Sequence, residues 1–288
     1  MRPHIQKLIT DVGLERAATQ LLDAALPAIG ISGKKVLSPC RIGSSKIGGR
    51  PSLPITFEWP THKGRKLDFL LQINLADVAP LDVQKLLPAS GLLSFFYDLD
   101  SQPWGYDPAD LGGFKVIHTT EMLMLSEHEI PNPDFPMPEC ELTFHSVLTL
   151  PHFGSRAAYK FIESVGLSEA DYNAYSELTS KVEKLSHTVD GMGNHHLLGH
   201  SANVQGDMQL EAQLVTNGLN CGNSRGYEDP RRKILEAGAE EWLLLLQLDS
   251  DDVNGFMWGD CGMLYYWIRR DDLMNQQFEN VWMSLQCY

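Results

Sequence analysis

FLLQIN, Phe69–Asn74, and LLLQLD, Leu244–Asp249, are two near-continuous apolar runs of strand length that lie 175 positions apart. Runs of this kind predict strands covered on both faces. Gln72 falls on Gln247, and Asn74 falls on Asp249. A glutamine inside a buried strand is costly unless its amide is satisfied. Its return at the matching place predicts a defined hydrogen-bonding role. Either each amide pairs with backbone at a strand edge, or both line a groove between the two halves.

The match extends outward from these runs. GLLSFFY, Gly91–Tyr97, aligns with GMLYYWI, Gly262–Ile268, at an offset of 171. The offset falls by four across the connecting loop, where length changes are absorbed. A glycine turn stands upstream of each run: IGGRPSLP at Ile47–Pro54 and LLGHSANVQGDM at Leu197–Met208. The pattern predicts an α+β fold with a duplicated, mainly antiparallel sheet unit. It is read as one domain over 1–288, with pseudo-repeats at 36–150 and 190–288 and with N-terminal and mid-chain helices. Apolar residues at spacings of three and four predict helix from Ile5 to Ile29, interrupted at Gly13 and ended by Gly30 and Gly33. One or two helical turns are expected over Asp82–Leu87, and strands at Phe114–His118, Glu141–Leu150 and Phe278–Leu285. Helices are expected over Ser155–Val165, from the Ser168–Asp171 capping box to Leu185, and over Arg231–Ala239 behind Pro230. The polar segment Thr188–His196 leads into the second glycine turn.

Hydrophobic residues make up 43% of the 288 and charged residues 21%, which excludes a disordered or collagen-like chain. Against 23 Lys and Arg stand 37 Asp and Glu, a formal charge of −14. That balance disfavours nucleic acid and anionic membranes and suits a basic protein partner. Five cysteines without a C-x-x-C pair argue against a disulfide framework or zinc knuckle, and fit a reducing compartment. MRPHIQKLIT at the N-terminus lacks a signal peptide's apolar stretch. The longest apolar runs are far shorter than the ~20 residues of a membrane helix. A cytoplasmic location is expected.

No catalytic motif is complete. Gly43–Gly48 has the gap of a phosphate loop but is followed by Gly49-Arg50 instead of Lys-Ser/Thr. Gly199-His-Ser-Ala-Asn203 departs from the G-x-S-x-G elbow at its last position, so Ser201 reads as a turn residue. His196 and His200 lie about 13 Å apart if the segment is extended, too far for one ion. Asp249, Asp251, Asp252 and Asp260 crowd one acidic loop without the spacing of a calcium site. In Trp258-Gly-Asp260 the tryptophan reads as a loop anchor and the aspartate as a backbone cap.

GGRPSLP with EWP after it, FLLQINL, GLLSFFYD, LLGH followed by VQGDM, LLLQLDSDD and MWGDCGMLYYWIRRDDL occur in order over about residues 43 to 287. Together they resemble the YwqG-like family of uncharacterised proteins. The resemblance implies an α+β fold with a duplicated sheet unit and assigns no catalytic residue. Some bacterial relatives resemble neighbours of toxin systems, which implies an immunity-type role.

The resulting expectation is a binding or interaction protein with a basic protein partner, needing no cofactor and no metal. The alternative is a small-molecule-binding protein or hydrolase using an inter-repeat groove. Gln72, Gln205, Asp207, Gln247, Trp258 and Asp260 are the candidate binding residues.

Overall fold

The computed structural model describes residues 2–132, 137–186 and 193–288. Ten strands form one sheet: β1 (Leu26–Lys35), β2 (Lys46–Ile47), β3 (Asp68–Asn74), β4 (Leu92–Tyr97), β5 (Phe114–Thr119), β6 (Cys140–Thr149), β7 (His196–Leu197), β8 (Trp242–Asp249), β9 (Met263–Arg269) and β10 (Trp282–Gln286). Their order is β10-β9-β8-β7-β1-β6-β2-β3-β4-β5, and every neighbouring pair is antiparallel. The long central pair β1 and β6 runs in register from Leu26 opposite Thr149 to Lys35 opposite Cys140.

The two edges of the sheet approach one another. Phe114 of β5 meets Trp282 of β10 edge to face, with ring centroids 5.2 Å apart. The connection from β4 to β5 reaches across as well. Trp104 O accepts from Leu285 N at 2.9 Å, and Gly105 O accepts from Trp282 Nε1 at 2.8 Å. The sheet is thereby nearly closed into a barrel, which leaves little unpaired edge. Aromatic rings span its interior: Phe95 packs edge to face on Tyr266 at 5.2 Å, and the Tyr266 hydroxyl donates to Phe96 O at 3.0 Å. Burial of these rings and of the aliphatic residues of β3, β4, β8 and β9 forms the main core.

A helical layer covers the start of β1 and the end of β6. It comprises α1 (Arg2–Asp11), α2 (Ala18–Ala24), α3 (Arg156–Val165) and α4 (Glu169–Ser186). Ile5, Ile9, Leu21, Phe161, Tyr175 and Leu178 bury one another there, together with Leu150 just past β6. Ser155 caps α3 by accepting from Ala158 N at 3.1 Å, and Gly166 ends it with φ 63°. A fifth helix, α5 (Met208–Val215), is capped by Asp207 and packs against β8 and β10.

The expected helix to Ile29 ends at Ala24, and Leu26–Lys35 is the central strand β1. Pro27 and the β-branched Ile29 and Ile31 favour the extended chain, and periodicity over so short an apolar run does not separate strand from helix. Gly30 and Gly33, expected as terminators, sit inside the strand. A Cβ at Gly30 would overlap the His145 ring, and one at Gly33 would overlap Asn254 Oδ1. The helical turn expected over Asp82–Leu87 is a single hydrogen-bonded turn, with Lys85 N donating to Asp82 O at 3.1 Å, and a short helix stands before it at Leu75–Val78, capped by Asn74. Phe278–Asn280 is a 3₁₀ turn, and only Trp282–Gln286 is strand. Residues 188–192 of the polar segment Thr188–His196 lie outside the described residues. All five cysteines are free thiols. Among the described residues no helix is long and apolar enough to cross a membrane.

Candidate functional site

The two strand glutamines are spent on the turns beside them. Gln72 Oε1 accepts from Ser52 N at 2.8 Å, and its Nε2 donates to Ser44 O at 2.7 Å. Gln247 Oε1 accepts from Ala202 N at 2.9 Å, and its Nε2 donates to Asn194 O at 2.8 Å. Both side chains are fully buried, and each ties a loop to its own strand.

The histidine and aspartate clusters are likewise internal. Asp249 N donates to His195 Nδ1 at 3.0 Å, so the ring carries its proton on Nε2, where it meets the Asp251 carboxylate. Asn254 donates to the same carboxylate through N at 2.6 Å and Nδ2 at 2.7 Å. These hydrogen bonds hold the Asp251 carboxyl below its usual range against the opposing effect of burial. Asp249 turns onto Asn194 N, while Asp252 and Asp260 are exposed, so the four carboxylates do not converge. His196 donates from Nδ1 to Leu198 O at 2.9 Å, and His200 from Nε2 to Ala24 O at 2.8 Å. Burial pushes both imidazoles down to about 4. Among the described residues no group of three or more His, Cys, Asp or Glu is arranged to hold a metal ion. Ser201 Oγ donates to Asn203 Oδ1 at 2.6 Å, so its hydroxyl is engaged with an amide and not with a base.

The other expected site residues brace the chain end and a loop. Gln205 Nε2 donates to Cys287 O at 2.9 Å, and Asp260 O accepts from Tyr288 N at 3.4 Å. Asp207 accepts from Leu210 N at the start of α5 and pairs with Arg156 at 3.3 Å, its carboxyl raised by burial. Trp258 is buried. Its Nε1 donates to Asp249 O at 3.2 Å, and its ring packs on Phe256 and Tyr97.

A spacious cleft lies elsewhere, with a volume of about 250 Å³. None of the six expected residues lines it. Its floor is the start of β8 (Trp242, Leu243, Leu244) with Trp267 of β9. Leu26 and the turn Leu198–Ser201 form one wall, and Gln84 and Leu86 reach over from the connection after β3. Ser155 and Ala157 at the start of α3, Gln209 of α5 and Arg270 complete it. Gln209 is held by donating Nε2 to Trp242 O at 2.6 Å. The Trp242 indole donates to Gln213 Oε1 at 3.0 Å, and the Arg269 guanidinium lies 4.8 Å from the centre of its ring. Trp267 is 3% exposed, and among the described residues its indole N–H has no hydrogen-bond partner. Apolar walls with a few polar groups are the usual make-up of a small-molecule site.

The family model for a domain of unknown function (DUF1963) matches residues 45–287. The chain belongs to this family. Comparison with curated proteins finds no match. The DUF1963 match begins at Ser45, in the turn that Gln72 holds, and ends at Cys287, beside β10. It includes every cleft residue except Leu26, and leaves α1, α2 and β1 outside. Sequence reasoning missed Trp267 and Arg270 because the cleft is assembled from separate segments, none of which carries a local motif. The strand pattern marks Trp267 as core, which it also is.

Proposed function

We propose that this protein is a small-molecule-binding protein, that its fold is a duplicated unit, and that the ligand occupies the cleft on the second copy. The copies on this reading run over about 26–119 and 140–286. Their correspondence is supported bond by bond. Gly48 N donates to Leu70 O at 2.8 Å, and Leu198 N to Leu245 O at 3.3 Å. Asn74 N donates to Ser45 Oγ at 2.8 Å, and Asp249 N to His195 Nδ1 at 3.0 Å. The pairing register shifts between Phe69 and Leu71 on one side and between Leu244 and Leu246 on the other. Gly48 and Gly49 have φ 59° and 64°, and Leu198 and Gly199 have 61° and 75°. Leu198 thus keeps a left-handed backbone where glycine stands in the first half, a conformation a branched side chain adopts only when its surroundings impose it. Each copy's first strand pairs with the other copy, β1 with β7 and β6 with β2. That exchange interlocks the halves into one body.

The observation that carries the functional reading is the contrast between corresponding places. Leu198, Gly199, Leu243, Leu244 and Leu26 line the open cleft. Their counterparts Gly48, Gly49, Asp68, Phe69 and Met137 line a space of only about 10 Å³, closed by Ile130, Pro131 and Asn132. On this reading the two corresponding hollows differ in size: among the described residues one keeps about 10 Å³ and the other about 250 Å³. Triad or metal chemistry has no assembled group among the described residues at the open one, so binding is the supported role. A basic protein partner rests on net charge, the family resemblance and the lack of a complete catalytic motif, none of which marks out a docking face.

The test is a fragment screen by ligand-detected NMR on the full chain and on Ala157→Trp, which places an indole in the cleft mouth. Hits that bind the native chain and are lost in the variant support the reading. A screen without hits, or hits indifferent to the variant, overturns it.

A further inference from the structure

We infer that the cleft takes an organic anion, a single negative head group on an apolar body about one ring in size. The inference rests on the cleft being the ligand site, and it is carried by the polarity of the cleft's own groups.

The chain has 37 acidic residues against 23 basic ones, yet among the described residues no acidic one lines the cleft. Arg270 does, and among the described residues no carboxylate lies within ion-pair distance of its guanidinium. An exposed arginine at the rim of a low-dielectric hollow attracts an anion more strongly than it would on an open surface. Arg269, stacked on Trp242, places a second positive charge beside one of the cleft residues.

Helix α3 points its positive end at the same space. Ser155 and Ala157 line the cleft, and α3 is ten residues long. The Ser155 hydroxyl caps Ala158 N, while first-turn amides have no acceptor within their own helix. Such an end favours a carboxylate or phosphate.

The Trp267 ring lines the cleft. Its indole N–H is a pure donor, buried, and without an acceptor among the described residues. A buried donor without a partner costs about 1–3 kcal/mol, and native structures carry few of them. The N–H itself has almost no accessible surface, so the anion is held by Arg270 and the start of α3, and the Trp267 ring, which lines the cleft, reports its arrival. Leu26, Leu86 and Leu243 are half-buried and offer apolar surface for the rest of the molecule. A cavity of roughly 150 Å³ admits benzene, so about 250 Å³ takes one ring with a short acid arm.

The test uses the full chain labelled with ¹⁵N at tryptophan, with the Trp267 indole signal assigned by its loss in Trp267→Phe. The probes are indole-3-acetate, its neutral isostere indole-3-acetamide, and phenyl phosphate. The expected result is a saturable shift of the Trp267 signal with at least one anion, and binding at least tenfold weaker for the amide. Arg270→Gln should weaken the anion at least tenfold and leave the melting midpoint and amide binding unchanged. Preference for the acetate identifies a carboxylate, and preference for phenyl phosphate a phosphomonoester; either supports the inference. Equal affinity of acetate and amide, unaltered by Arg270→Gln but lost in Ala157→Trp, overturns the anion and leaves the cleft as a site. No shift with any probe overturns the anion, while the fragment screen judges the cleft separately.

Discussion

Gln247 repeats the two hydrogen bonds of Gln72 on the other side of the central strand pair. Each takes a turn amide on Oε1, at 2.9 and 2.8 Å, and gives Nε2 to a turn carbonyl, at 2.8 and 2.7 Å. In both places the glutamine acts as a clamp that fixes the start and the end of a glycine turn to the neighbouring strand.

Truncating either clamp strands one backbone donor and one backbone acceptor. Gln247→Ala should destabilise the protein by about 2–4 kcal/mol, and Gln72→Ala by a similar amount. Urea unfolding followed by far-UV circular dichroism measures this; a loss under 1 kcal/mol would mean that water replaces the amide without penalty.

The seam of the barrel depends on Gly105. Its φ is 85°, and a Cβ there would overlap the Met283 carbonyl oxygen of β10. Gly105→Ala should cost about 3 kcal/mol or more through strain and backbone displacement. It should also raise amide exchange at Leu285, whose N–H bonds Trp104 O across the seam. Exchange confined to native levels would show that the two edges hold without this contact.

His196 ties stability to pH. It is 2% exposed, and burial lowers its imidazole from 6.5 to about 4. The unfolded chain therefore takes up this proton first as pH falls, so the stabilisation is whole above 6.5 and is lost as pH drops through 4. The drop is about 3 kcal/mol when complete. His196→Asn, which can still donate to Leu198 O, should flatten the dependence of the urea midpoint between pH 6.5 and 4. An unchanged slope would assign the effect to other groups.

Glu211 works in the opposite sense. Burial raises its carboxyl from 4.5 to about 7, although the Tyr227 hydroxyl donates to it at 3.0 Å. The folded state holds the proton after the unfolded state has released it, so stability falls as pH rises from 4.5 to 7. Glu211→Gln keeps an acceptor for Tyr227 and removes the charge. Its melting temperature should exceed that of the native chain at pH 8 and differ little at pH 4. A lower value at pH 8 would show that the carboxylate itself is needed.

Much of the architecture is legible in local patterns. β3, β8 and β9 announce themselves by unbroken apolar runs, and their glutamines by the cost of burying an amide. β1 is not legible, because Leu26–Ile31 satisfies helical and strand spacing alike and only its pairing with β6 decides between them. Gly30 and Gly33 read as stops until His145 and Asn254 are found against them. The candidate residues Gln205, Asp207, Trp258 and Asp260 carry the right chemistry, yet their partners are the chain end, a helix start and a loop.

What the sequence alone determines here is the apolar strands β3, β4, β8 and β9, the matched pair of buried amides and the acidic balance. These follow from side-chain polarity and spacing along the chain. Which strands neighbour which, and where the open hollow falls, is decided only by the tertiary structure. β1 and β6 cross between the halves, and Trp267, Arg270 and the start of α3 meet from positions far apart in the chain. Spacing in sequence carries no information about contacts created when a sheet curls on itself, so that meeting is written in the closure of the barrel alone.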